Sequence, residues 1–132
     1  MKSINFYKKI EKVRILLVDD EPNIVKIVNK RLVTEGFEVL VAMDGMAALE
    51  MAAAELPSLI ILDVMLPKLS GIEVCRRLKH DARTQKIPIL MLTALAQESD
   101  EASGVAAGTD AYIRKPFRAQ QLLQKVRELI SI

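Results

Sequence analysis

Leu59-Ile60-Ile61-Leu62-Asp63-Val64-Met65-Leu66-Pro67 decides the fold. Large apolar residues in succession, with no polar alternation, read as a strand buried on both faces, the pattern of a parallel sheet. The run ends on a carboxylate. Ligands of open α/β sheets bind just outside the strands' carboxyl ends, so Asp63 is a candidate site residue. Two further pieces repeat the arrangement, Leu17-Val18-Asp19-Asp20-Glu21-Pro22 and Tyr112-Ile113-Arg114-Lys115-Pro116-Phe117. Asp19, Asp20, Asp63 and the ammonium of Lys115 are therefore expected to converge.

Outward from these pieces, apolar strand-like runs alternate with helix-like patterns across short connections, which is the βαβ signature. Strands are expected at 14–18, 38–42, 59–63, 87–93 and 111–114, all parallel, in one doubly wound five-stranded sheet with helices on both faces. The first helix opens with Pro22, carries Ile24, Ile27, Val28 and Leu32 at helical spacing, and stops at Gly36. A second is expected over 45–54. A third begins at Ser70-Gly71-Ile72-Glu73, read as a capping box in which Ser70 and Glu73 satisfy each other's free amides. A fourth, over 98–107, offers only Ala102, Val105 and Ala106 to the core and contains Gly104. It is expected to be the least stable element and the candidate for conformational change. The last helix, over 118–131, carries Leu122, Val126, Leu129 and Ile130 on one stripe.

The chain has 132 residues, 51% apolar and 27% charged, with no Trp, which suits one globular domain. No apolar run approaches the roughly 18 residues of a membrane span, and the first residues lack a signal peptide's apolar core, so a cytoplasmic protein is expected. The single Cys75 permits no internal disulfide or cysteine metal cluster and reads as a small apolar helix residue. The net charge of +2 is uneven: Lys2, Lys8, Lys9, Lys12 and Arg14 against Glu11 make the first fourteen residues +4, leaving −2 for the rest. A slightly acidic body argues against direct nucleic-acid binding. Residues 1–12 read as a basic extension to a domain over 13–132. Ile4, Tyr7 and Ile10 give that extension near-helical apolar spacing, so docking on a partner or a membrane surface is the alternative to a solubilising tail.

Each site residue has a plain structural reading when taken alone. Asp19 and Asp20 precede a helix, where acids complement the dipole; Thr93 suits a strand; Lys115 stands before a loop proline. Together they are harder to dismiss. Asp63, nearly buried beside two other carboxylates, needs a cation to relieve the repulsion. Mg²⁺ fits an all-oxygen set without Cys or His, and lone His80 reads as a solvated residue at the polar end of the third helix. A carboxylate near a divalent cation and an ammonium can act as a nucleophile on phosphorus, with Asp63 as acceptor and the Thr93 hydroxyl available to a phosphoryl oxygen.

With these residues assembled, the sequence from about Val13 to Ile132 resembles the response-regulator receiver domains. The motifs that carry the resemblance are Asp19-Asp20, Asp63-Val64-Met65-Leu66-Pro67, Thr93-Ala94, and Ala107-Gly108-Thr109-Asp110-Ala111-Tyr112 leading into Lys115-Pro116-Phe117. It implies a flavodoxin-like (βα)5 fold and a signalling phospho-acceptor rather than an enzyme. Asp63 would take a phosphoryl group from the phosphohistidine of a sensor histidine kinase or phosphotransfer protein. Mg²⁺ would be held by Asp20, Asp63, the Met65 carbonyl and Asp19 through water, and Lys115 would pair with the phosphoryl group. Thr93 and Tyr112 would switch the surface of the fourth helix, fifth strand and last helix, where family members dimerise or meet a target or output domain.

Departures from the family's pattern are few. Ser70 stands where Asp is frequent, and it caps a helix equally well. Met65 and Leu95 are apolar where polar side chains in the family help to position the hydrolytic water, which implies a long-lived aspartyl phosphate. A phosphatase or mutase would need a second Asp at position 65. A nucleotide- or flavin-binding module would need a phosphate loop after the first strand, where Asp19-Asp20-Glu21 repels anions. The alternative that stays open is a receiver-like interaction module working without phosphorylation. No DNA-binding or enzymatic output domain is expected within these 132 residues.

Overall fold

The computed structural model describes residues 13–94 and 107–130. In chain order its elements are β1 (Arg14–Val18), α1 (Pro22–Thr34), β2 (Glu38–Ala42), α2 (Gly45–Glu55), β3 (Leu59–Asp63), α3 (Gly71–Lys79), β4 (Ile89–Thr93), β5 (Ala111–Arg114) and α4 (Ala119–Ile130). The strands form one sheet in the order β2-β1-β3-β4-β5, and every adjacent pair is parallel.

Strand pleating divides the core into two layers. Leu16, Val18, Ile60, Leu62, Ile89 and Met91 face Ala48 and Ala52 of α2 and Val74, Cys75 and Leu78 of α3. Ile15, Leu17, Leu59, Ile61, Leu90 and Leu92 face Val28 and Leu32 of α1 and Leu122, Leu123 and Val126 of α4. Helices thus cover both faces, as the continuous apolar strands require. Among the described residues, no helix is long and apolar enough to cross a membrane.

The element limits follow local chemistry. Pro22 starts α1 and Gly36, at φ +97°, lies just beyond its end, where a left-handed turn suits glycine. The Asp44 side chain accepts the Ala47 N–H at the start of α2, and that contact is the main reason its carboxyl pKa lies below 3.8. β4 begins at Ile89 rather than at 87, because Pro88 has no N–H to donate and the Ile87 N–H bonds to Thr84 instead. Ser70 accepts the Glu73 N–H as expected, but the Glu73 carboxylate is engaged by Arg76 and Arg77. Ion pairs along α3 replace the reciprocal half of the capping box. On α4 Leu122 and Val126 are buried, joined by Leu123, while Leu129 and Ile130 are only partly covered. Cys75 is fully buried and His80 is exposed. The helix expected over 98–107 lies almost wholly outside the described residues, as does the extension over 1–12.

The order of the sheet makes a crevice. After β1 the chain crosses to β2 at one edge and then returns to β3 on the other side of β1, so the connections diverge between the carboxyl ends of β1 and β3. Val18 pairs with Leu62, which brings Asp19 level with Asp63 across that opening.

A candidate acidic site at the carboxyl edge of the sheet

Asp63 is carried into its position by the strand behind it. Leu59, Ile60, Ile61 and Leu62 are all fully buried, each contributing about 1.5–3 kcal/mol. That outweighs the cost of holding one carboxylate at the strand end, where Asp63 is 3% exposed. Past Asp63 the Val64 N–H bonds to Leu92 O at 2.9 Å and the Gly71 N–H to Val64 O at 2.8 Å, so the start of α3 closes on the loop. Gly71 is needed there. A Cβ on it would overlap the Asp63 carbonyl oxygen and stand 2.8 Å from both the Asp63 carbonyl carbon and Val64 Cα.

The neighbouring strands supply the rest. Asp19 directly follows β1, its N–H bonded to Ala42 O at 3.2 Å, and it is fully buried; Asp20 is exposed at the mouth. Thr93 ends β4, 4% exposed, one residue beyond the Leu92 that pairs with Asp63. The Lys115 N–H bonds to Thr93 O at 2.7 Å, which docks the end of β5 beside the site, and the Lys115–Pro116 peptide is cis.

The charges meet closely. Lys115 Nζ lies 3.0 Å from Asp19 Oδ2, 3.0 Å from Glu21 Oε1 and 3.4 Å from Asp63 Oδ2. The Glu21 N–H donates to Asp19 Oδ1 at 3.0 Å and the Met65 N–H to Asp63 Oδ1 at 3.3 Å. One carboxylate oxygen from each of Asp19, Asp20 and Asp63 falls within 4.8 Å of the others. At that spacing each like-charged pair repels by about 3 kcal/mol even at an effective dielectric of about 20.

Burial, and then the charge of Asp19, push the Asp63 carboxyl up from 3.8 to about 6, against the opposing pull of Lys115 and the Met65 amide. Burial also works against the Lys115 ammonium. Its hydrogen bonds to Asp19 and Glu21, with the charges of Asp63 and Asp19, outweigh that and hold its pKa above the ordinary lysine value.

One ammonium does not neutralise this many carboxylates. The residual negative charge, the all-oxygen donors and their spacing fit a hard divalent cation such as Mg²⁺. No imidazole or thiolate belongs to the cluster. Buried Cys75 lies in the α2–α3 layer, where burial raises its thiol to about 11, and it behaves as an apolar residue.

The structure therefore brings together Asp19, Asp20, Asp63 and Lys115, with Thr93 on the adjoining strand end. Met65 presents its N–H to Asp63 and is itself 60% exposed. Tyr112 stands on β5 opposite Met91 and is 39% exposed. The ion pair from Glu21 to Lys115 escaped the sequence reading. The available signal was a third acid directly before Pro22, read only as part of a charge that repels anions.

A doubly wound α/β domain with a buried acidic pocket and a lysine at the carboxyl edge of its sheet is the class that fold and site define. Residues 15–127 match the family model described as the response regulator receiver domain, and the chain belongs to that family. It is 45% identical over 117 residues to the DNA-binding dual master transcriptional regulator RpaA of Synechocystis, an alignment covering 89% of this chain and 48% of that protein. The chain spans about half the length of the first curated relatives it matches. Among solved structures, the receiver domain of the sensor histidine kinase PA1611 from Pseudomonas aeruginosa, with magnesium in its active-site cleft, superposes with a TM-score of 0.86 at 29% identity. It covers 92% of this chain and 100% of its own. The chemotaxis response regulator CheY4 of Vibrio cholerae gives 0.85 at 31% identity, covering 90% and 99%.

Proposed function

We propose that this chain is the phospho-accepting receiver of a two-component system and that Asp63 is the acceptor. One observation carries the reading: a strand-end carboxylate, 3% exposed, faces a lysine ammonium at 3.4 Å beside two further acids. In transfer from a phosphohistidine, an Asp63 oxygen attacks phosphorus and the P–N bond breaks. The bonding pair returns to the imidazole, leaving an acyl phosphate on Asp63. Lys115 orients Asp63 and supplies positive charge to the incoming phosphoryl oxygens, and Thr93 has a hydroxyl to donate to them.

Asp19, Asp20, Asp63 and the Met65 carbonyl would hold Mg²⁺. Bound there, the cation offsets charge on the acidic cluster and on the phosphoryl group. The partner in the forward direction is a sensor histidine kinase or a phosphotransfer protein in the cytoplasm. Thr93 and Tyr112 form the proposed switch, changing the surface of the segment before β5, β5 itself and α4. That surface would meet a second copy, a separate target, or an output domain outside residues 13–132, with 1–12 as an extension.

Intact mass after incubation with Mg²⁺ and a small acyl phosphate tests the proposal. One added phosphoryl group is expected, and it is absent from Asp63→Ala and from a Mg²⁺-free sample. A folded protein that binds Mg²⁺ yet gains no mass would overturn it in favour of an interaction module that works without phosphorylation.

A further inference from the structure

Lys115 holds three carboxylates at once, and they are not equivalent. An ammonium has three donors. Asp19 and Glu21 each accept at 3.0 Å, which commits two of these donors before any phosphoryl oxygen arrives, and the third faces Asp63 across an ion pair of 3.4 Å. For Lys115 to give a phosphoryl group on Asp63 more than that third donor, one of the two hydrogen bonds has to open. Asp19 is fully buried, where loss of the ammonium costs most, and Asp63 is the acceptor itself. Glu21 is different. Its side chain is 59% exposed, so water replaces the lost partner at small cost.

Among the described residues, Lys115 is the one partner of the Glu21 side chain. Glu21 is the N-cap of α1, yet its side chain makes no capping hydrogen bond and reaches across to Lys115 instead. Its backbone N–H grips Asp19 Oδ1, which anchors the residue while the side chain remains free to turn. An apolar groove of about 410 Å³ between α1 and the Pro116-Phe117 turn borders it, so the released carboxylate turns to solvent rather than into the protein.

We propose that Glu21 is a releasable latch on Lys115, a positioning residue that holds the ammonium in the unphosphorylated protein and competes with the phosphoryl group for it. The inference rests on the reading of Asp63 as the acceptor. It predicts that opening the latch speeds phosphorylation, because the transferring group no longer has to displace a carboxylate. Removing a part-exposed ion pair corresponds to about a two- to five-fold change in rate.

Two variants separate this from a simple field effect. Glu21→Gln removes the charge. Glu21→Asp keeps the charge but withdraws it by one C–C bond, about 1.5 Å, beyond hydrogen-bond reach of Nζ. It is also drawn to the α1 amides as a proper N-cap.

The rate of mass gain from a small acyl phosphate with Mg²⁺ is measured for the parent and both variants, with circular dichroism confirming the fold. Both variants are expected to react about two- to five-fold faster than the parent. A faster Glu21→Gln beside an unchanged Glu21→Asp would show a distant charge effect and overturn the latch. Unchanged or slower rates in both would overturn it equally. If the parent itself gains no phosphoryl group, the acceptor reading fails first, so the two failures are distinguishable.

Discussion

Replacing Gly71 by alanine tests how the fold aims the acceptor. The new Cβ would stand 2.8 Å from the Asp63 carbonyl carbon and from Val64 Cα, and would overlap the Asp63 carbonyl oxygen. Carbon atoms in contact prefer about 3.5–4.0 Å, so α3 and the end of β3 must part by about 1 Å. All three obstacles are backbone, with no flexible side chain to yield. Overpacking of this kind costs about 1–3 kcal/mol, and loss of the 2.8 Å Gly71 N–H to Val64 O bond adds about 1 kcal/mol. Gly71→Ala should therefore be about 2–4 kcal/mol less stable in urea unfolding. The displaced backbone belongs to Asp63, and a misplacement of about 1 Å at a reacting group costs on the order of 100-fold in rate. Phosphorylation by a small acyl phosphate should fall accordingly. Gly36→Ala is the control: nothing lies within 4 Å of its Cβ, but φ is +97°, so it should lose about 1 kcal/mol with the phosphorylation rate unaltered. A Gly71→Ala protein within about 0.5 kcal/mol of the parent, phosphorylated at the same rate, would refute the reasoning.

Without metal, the contribution of Asp63 to stability should rise as pH falls from about 7 to about 4. The native state holds the Asp63 proton to about pH 6 and the unfolded chain only to about 3.8, so the folded form binds more protons in that window. The shift corresponds to about 3 kcal/mol. Urea titrations in a chelator should show the advantage of Asp63→Asn over the parent shrinking by that order across the window, and a constant advantage would contradict the assignment. Ser70→Ala removes the acceptor for the Glu73 N–H and should cost about 1 kcal/mol of stability while phosphorylation continues; no loss on unfolding would mean that this cap is idle. Met65→Asn combined with Leu95→Glu should shorten the lifetime of the Asp63 phosphate by about tenfold or more, followed by loss of the added mass with time. An unaltered lifetime would separate hydrolysis from these two positions.

Much of this protein is legible along the chain. The fully apolar run 59–62, the alternation of strands with helices, Pro22 before a helical stripe and Gly36 after it are local signals. Burial, capping and φ preferences act over a few residues, so such signals survive without knowledge of the rest of the fold. They carry the sheet, its parallel sense and the carboxyl-edge placement of Asp19, Asp20, Asp63, Thr93 and Lys115. Tertiary structure alone decided the remainder. Asp19 and Asp63 come level because Val18 is in register with Leu62, and register depends on two strands far apart in sequence. Glu73 turned from the Ser70 amide to Arg76 and Arg77, a competition among partners that spacing does not resolve. The need for glycine at 71 comes from the backbone of β3, and the hold of Glu21 on Lys115 links residues 94 positions apart. Contacts between distant segments depend on where every intervening element packs. The sequence therefore names which groups can do chemistry, and the packed chain decides which of them touch.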